Sequence, residues 1–207
     1  MDDDGCPDDT LDFYNAVRAD AEELWNAVFT ELGGAYRQTS QFTAYANTTG
    51  TPCGDVGPLN ASYCSLNEGI YYHRPFVDEL MMLVGDGAPA VIVAHEVAHH
   101  VQKLDGVLAL MGILYTTKQI ELQADCYAGV WGRSVALRDL LEEGDLEEAV
   151  ALLLAFGDDN LGARWFDPNG HGTSLQRAAA FALGFLEGLV SCVNPLVFPA
   201  ADVADEG

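Results

Sequence analysis

Residues 89–104 form an apolar stretch that nonetheless carries His95, Glu96, His99, His100 and Gln102. Its spacing predicts a single helix, which Asp105-Gly106 ends. Val91, Ile92, Val93, Ala94, Val97, Ala98 and Val101 make that helix apolar on several faces, as expected where a helix is buried in a core. Ionisable side chains on such a helix are costly unless they are paired or bind a metal. The run His95-Glu96-Val97-Ala98-His99 meets that demand. On a helix, residues i and i+4 stand one turn apart on one face, so both imidazoles can reach one Zn²⁺. Glu96 is turned off that axis yet lies near enough to meet a water on the metal. This is the arrangement for metal-assisted hydrolysis, in which zinc lowers the pKa of water to about 7 and a carboxylate takes its proton. The competing reading is a pair of histidines hydrogen-bonded within an ordinary core. His100 points off the ligand face and reads as a residue behind the ligands or on the surface.

A catalytic zinc needs a third protein ligand and an open fourth position. The spacing H-E-x-x-H-x-x-G-x-x-H would supply it locally, but Gln102 stands where the glycine is needed and Asp105 where the histidine is needed. A glutamate from a later helix is the alternative. In Glu121-Leu122-Gln123-Ala124-Asp125, Glu121 can bind the metal. Asp125, one turn on, can accept the free ring N–H of a ligand histidine, a contact that fixes tautomer and ring orientation. A solvated acidic helix face would look similar. The apolar Ile120, Ala124, Cys126 and Val130 around the pair argue against it.

The rest of the chain predicts an α+β fold, mostly helical, with a small disulfide-stapled sheet beside the helices. A first helix spans residues 11–32, stopped by Gly33-Gly34, and residues 39–49 and 69–73 are β-prone. Further helices are expected over 76–84, 117–141, 145–156 and 173–189, the last after the turn Asp167-Pro168-Asn169-Gly170 and capped by Thr173 or Ser174. Residues 108–115 are apolar and ambiguous. At 207 residues the natural expectation is one domain, with acidic disordered tails at 1–7 and 200–207.

The formal charge of −23, from 32 acidic against 9 basic residues, disfavours nucleic acid as a partner. No run of 18 apolar residues is present to span a membrane. Asp2, Asp3 and Asp4 after Met1 are the wrong charge for a secretory leader. Five cysteines include no C-x-x-C pair. Cys53 and Cys64 bracket a Gly-, Pro- and Asn-containing loop whose closure would contribute on the order of 3 kcal/mol. Pairings Cys53–Cys64 and Cys126–Cys192 are therefore expected, with Cys6 left over, and they imply an oxidising, extracytoplasmic setting.

The sequence resembles the bacterial putative neutral zinc metallopeptidase family, gluzincin-like in its His-His-Glu zinc site. The resemblance runs from about residue 35 to 193. It is carried by Thr51-Pro52-Cys53-Gly54, by Tyr63-Cys64 after Gly57-Pro58, and by the segment from Ala94 to Gln102. It continues from Glu121 to Trp131, then through His171-Gly172-Thr173-Ser174 with Arg177. The resemblance implies His95, His99 and Glu121 as zinc ligands, Glu96 as general base and Asp125 behind a ligand. It also implies a secreted, periplasmic or membrane-anchored protein.

Hydrolysis needs an oxyanion stabiliser as well. His171, in a Gly-flanked turn, is the first candidate, with Tyr71, Tyr72, His73 and Tyr127 as alternatives. A polypeptide substrate is expected to add as a strand along residues 70–73. The reading from a different class is a non-catalytic zinc-stabilised interaction domain of the cell envelope, against which Glu96 weighs, because a structural site needs no base.

Overall fold

The structure, a computed structural model, describes residues 9–159 and 170–200. Cys6, the N-terminal tail, the C-terminal tail past Ala200 and most of the turn expected before the last helix lie outside the described residues. Helix α1 (Asp9–Glu31) buries Tyr14, Val17, Ala21 and Trp25 on one face, at the spacing that brings successive turns into line. Gly33, at φ +76°, ends it in the left-handed conformation that glycine adopts without strain.

The strands are β1 (Gln41–Tyr45), β2 (Thr49–Thr51), β3 (Gly54–Val56), β4 (Ala61–Cys64) and β5 (Gly69–His73). β2 and β3 pair as a separate antiparallel hairpin. The other three form one sheet in the order β1-β5-β4, with β5 parallel to β1 and antiparallel to β4. The expected peptide-binding strand, residues 70–73, is thus corrected. It lies in β5, the middle strand, buried along its whole length, with both edges already paired. The outer strands of this sheet are β1 and β4.

Helices α2 (Arg74–Leu83), α3 (Gly87–Leu104), α4 (Thr117–Leu137), α5 (Asp145–Ala155) and α6 (Ser174–Glu187) complete the fold. It is mostly helical with small sheets, as expected. α3 runs through the middle, packed by α1, α2, α4, α5 and β4, and buries every residue except His99, Lys103 and Leu104. Residues 108–115 hold a 3-10 turn at Leu108–Leu110, tight turns and an isolated bridge between Met111 and Tyr115.

α4 ends four residues before the expected 141. Asp139 sits at φ +55°, Asp139 N–H bonds Ala136 O, and Leu140 N–H reaches back to Val135 O. That pattern closes a helix and usually carries glycine at the left-handed position. An aspartate there hid the stop from the sequence.

Two glycines set the crossing of α4 and α6. A Cβ on Gly129 would stand 2.0 Å from Phe181 O, and one on Gly184 would stand 1.9 Å from Cys126 O. The two backbones therefore touch, which brings Asp125 of α4 against Arg177 near the start of α6. Both expected disulfides are present. Cys53–Cys64 ties the β2–β3 hairpin to the end of β4, and Cys126–Cys192 ties α4 to the chain beyond α6.

Candidate metal centre

α3 and α4 converge on three ligand atoms. His95 Nε2 lies 3.1 Å from His99 Nε2 and 3.2 Å from Glu121 Oε2, and His99 Nε2 lies 3.4 Å from the same oxygen. Bond lengths of about 2.0–2.1 Å to a tetrahedral zinc require its ligands to sit about 3.3–3.4 Å apart. The three atoms match that spacing.

The hydrogen bonds behind the rings decide what those atoms are. His95 Nδ1 is 2.8 Å from Asp125 Oδ1, so Nδ1 carries the proton and Nε2 presents a lone pair. His99 Nδ1 is 2.8 Å from Gln102 Oε1. The orientation of that amide is fixed by its other end, because Gln102 Nε2 donates to Ile120 O and to Gln123 Oε1. His99 therefore also turns an Nε2 lone pair toward Glu121. Two imidazole lone pairs and a carboxylate oxygen facing one another are mutually repulsive unless a cation lies between them, and this donor set suits zinc. Without a metal a proton must take its place. Burial pulls the His95 pKa down, but the Asp125 and Glu121 carboxylates prevail and hold it up to about 10. Glu121 is held well below the usual carboxylate range: burial opposes this, but the facing histidines outweigh it.

Asp125 is fully buried and accepts a two-pronged contact from Arg177, with Nε at 2.9 Å from Oδ2 and Nη2 at 2.9 Å from Oδ1. Burial pushes the Asp125 carboxyl upward, but Arg177 and His95 win and keep it ionised. The Arg177 guanidinium is itself fixed by Phe156 O at 3.0 Å. Three helices thus lock the ring plane of His95.

Glu96 is buried on the cleft side and is not part of the three-atom cluster. Burial raises its carboxyl pKa above the ordinary range, against the neighbouring histidines and a hydrogen bond from the backbone N–H of Tyr63. The same Tyr63 is held from its other end, its hydroxyl 2.9 Å from His100 Nδ1, while His100 Nε2 donates to Arg37 O at 2.6 Å. His100 is thereby corrected: it is neither exposed nor in contact with a ligand, but fully buried as the clamp between α3, β4 and the α1–β1 connection.

A cleft of about 490 Å³ opens over the cluster, with the Asn60–Ser65 stretch along one wall, Leu108, Met111 and Ile120 along the other, and His171 at its rim. His171 Nε2 is 3.5 Å from Glu121 Oε2, and burial depresses the ring's pKa below its ordinary value. The alternative oxyanion candidates lie elsewhere. The Tyr71 hydroxyl accepts from Gln41 and Asn67, and Tyr72 packs on Tyr14 and Phe42. His73 caps α2 by accepting from Phe76 N–H, and Tyr127 packs on Trp25.

The family described as "Putative neutral zinc metallopeptidase" matches residues 3–195 of the chain. The chain belongs to that family. It is 36% identical over 203 residues to the uncharacterized protein YpfJ of Escherichia coli strain K12, covering 87% of this chain and 69% of that one. It is 31% identical over 187 residues to the uncharacterized protein Rv2575 of Mycobacterium tuberculosis strain H37Rv, covering 77% of this chain and 62% of the relative. No solved structure matches the chain significantly.

Three residues around the cluster were not assigned from the sequence. Gln102 could have been, since it lies three residues past His99 on the same helical face. Arg177 stood inside a matching segment, but its role needs the α4–α6 crossing. The part played by Tyr63 depends on the strand order, for which the local sequence holds no signal.

Proposed function

We propose that this chain is a zinc metallopeptidase of the bacterial cell envelope, with His95, His99 and Glu121 holding the metal and Glu96 acting as general base. Zinc held there would supply Lewis acidity, polarising a carbonyl and acidifying water to about 7. The observation that carries the reading is Glu96. It is a buried carboxylate left out of the ligand set, turned toward the cleft and raised toward the range where a carboxylate can take and return a proton. Glu96 takes the proton of the attacking water and passes it to the leaving amine, while the Tyr63 N–H keeps the carboxylate aimed. An extended polypeptide pairs with the outer edge of β4, whose Ala61, Ser62 and Tyr63 line the cleft. His171 donates its Nε2–H to the developing oxyanion. Two disulfides fit an oxidising compartment, and no described helix is long and apolar enough to cross a membrane.

The test compares wild type with Glu96→Gln. Equal metal content with peptide cleavage reduced about 10²–10⁴-fold is expected. One metal per chain in both and cleavage in neither would favour the zinc-stabilised interaction domain instead.

A further inference from the structure

The connection between α3 and α4 is out of character for this chain. A fifth of the sequence is charged, yet residues 106–117 carry no charge at all. Four large apolar side chains there meet solvent: Leu110 at 37% exposure, Met111 at 43%, Ile113 at 81% and Leu114 at 53%. The segment is nevertheless built. Val107 N–H bonds Asp105 Oδ1, Gly112 N–H bonds Tyr115 O at 2.8 Å, and Leu114 N–H bonds Leu110 O at 2.8 Å. Both ends are rooted in helices that carry the metal cluster, and Leu108 and Met111 form the cleft wall opposite β4. Met111 belongs to both surfaces, since it lines the cleft and is also one of the loop's exposed apolar side chains. A contiguous exposed apolar patch beside a cleft marks a binding surface.

Resting on the peptidase reading, we propose that the 106–115 loop reads the substrate, selecting unfolded polypeptide that carries apolar side chains beside the bond to be cut. A chain held along β4 turns alternate side chains across the cleft, where Leu108 and Met111 receive one, and Ile113 and Leu114 receive the next as the strand leaves. That Leu108 and Met111 of this loop already line the cleft favours a substrate over other occupants. The charge of −23 works against an anionic bilayer.

The test uses two extended decapeptides of equal charge, one with Leu and Phe at alternate positions and the other with Ser and Asn in their place. Binding is read by fluorescence anisotropy on zinc-loaded Glu96→Gln protein, with and without Ile113→Ser and Leu114→Ser. Cleavage is read on the wild type with and without the same two substitutions. Burying one such side chain is worth about tenfold or more in affinity. The apolar peptide is therefore expected to bind at least tenfold tighter than the polar one. The doubly substituted loop should erase that preference, leaving the polar peptide and the melting temperature unchanged. Equal binding of the two peptides, or a preference that survives the substitutions, overturns the proposal. Loop-dependent binding without cleavage by wild type would sink the peptidase reading and leave the recognition surface standing. If the substitutions instead abolish self-association or vesicle flotation and leave peptide affinity untouched, the loop belongs to a second copy or a bilayer, and the proposal is wrong.

Discussion

Two clusters of three ligand-bearing side chains converge at α3, and they differ in what stands behind them. His95, His99 and Glu121 gather at its middle, and Asp86, Asp145 and Glu148 gather at its N-terminus, the ligand atoms of each lying within 4.8 Å of one another. In the first, each ring is held from behind by a buried partner: Asp125 with Arg177 for His95, and Gln102 with Gln123 for His99. In the second, the carboxylates are half-buried and answer to backbone. Glu148 accepts from Gly87 N–H at 3.0 Å, Asp145 accepts from Glu142 N–H at 2.7 Å, and the positive end of α3 accounts for the rest. One set of acids is explained by a helix end. The other, two imidazoles and a carboxylate, needs a metal ion or a proton between its members. Convergence of ligand atoms is common to both, so the supporting residues are what distinguish a metal site from a helix cap.

Asp125→Asn tests that distinction most severely. It is expected to weaken zinc binding about 10- to 100-fold by competition against a chelator, whereas Asp86→Asn should leave it within twofold. Equal effects of the two would mean that the supporting shell does not matter.

A smaller effect appears in the pH dependence of stability. In metal-free protein His95 is raised on folding, so its contribution is complete below the unfolded value of about 6.5 and is lost as the pH climbs through about 10. Zinc competes with protons for the same nitrogen, so stabilisation by zinc should grow with rising pH instead. Urea midpoints taken from pH 6 to 10 with and without chelator should therefore slope in opposite directions. Parallel slopes would remove the histidine from the ligand set. The smallest expected effect is at the other cluster: Glu148→Gln should lower stability by about 0.5–1 kcal/mol through the cap of α3 and leave metal content unchanged.

What the sequence revealed follows the range over which each feature is determined. His95, Glu96 and His99 share one turn of one helix, so their geometry follows from helical pitch. The pair Glu121 and Asp125 is local too, and placing it opposite His95 requires only that α3 and α4 pack. Strand order is another matter. β5 looks like any β-prone run, and its central place depends on β1 and β4 closing around it, across 28 residues in the pairing Gln41↔Gly69 and 11 in Ala61↔Tyr72. The contact between Asp125 and Arg177 likewise depends on Gly129 and Gly184 letting two backbones meet. The end of α4 was hidden because Asp139 holds the left-handed position that a glycine marks at most such stops.

The Cys126–Cys192 bond spans 66 residues of sequence, which include the second half of α4, all of α5 and all of α6. That stretch is a covalent ring. A backbone cut in the 138–144 connection would leave both pieces joined, with Arg177 still delivered to Asp125. For the peptidase proposed above, such a closure guards against cleavage by its own copies: a single nick opens the ring without releasing Arg177 from Asp125.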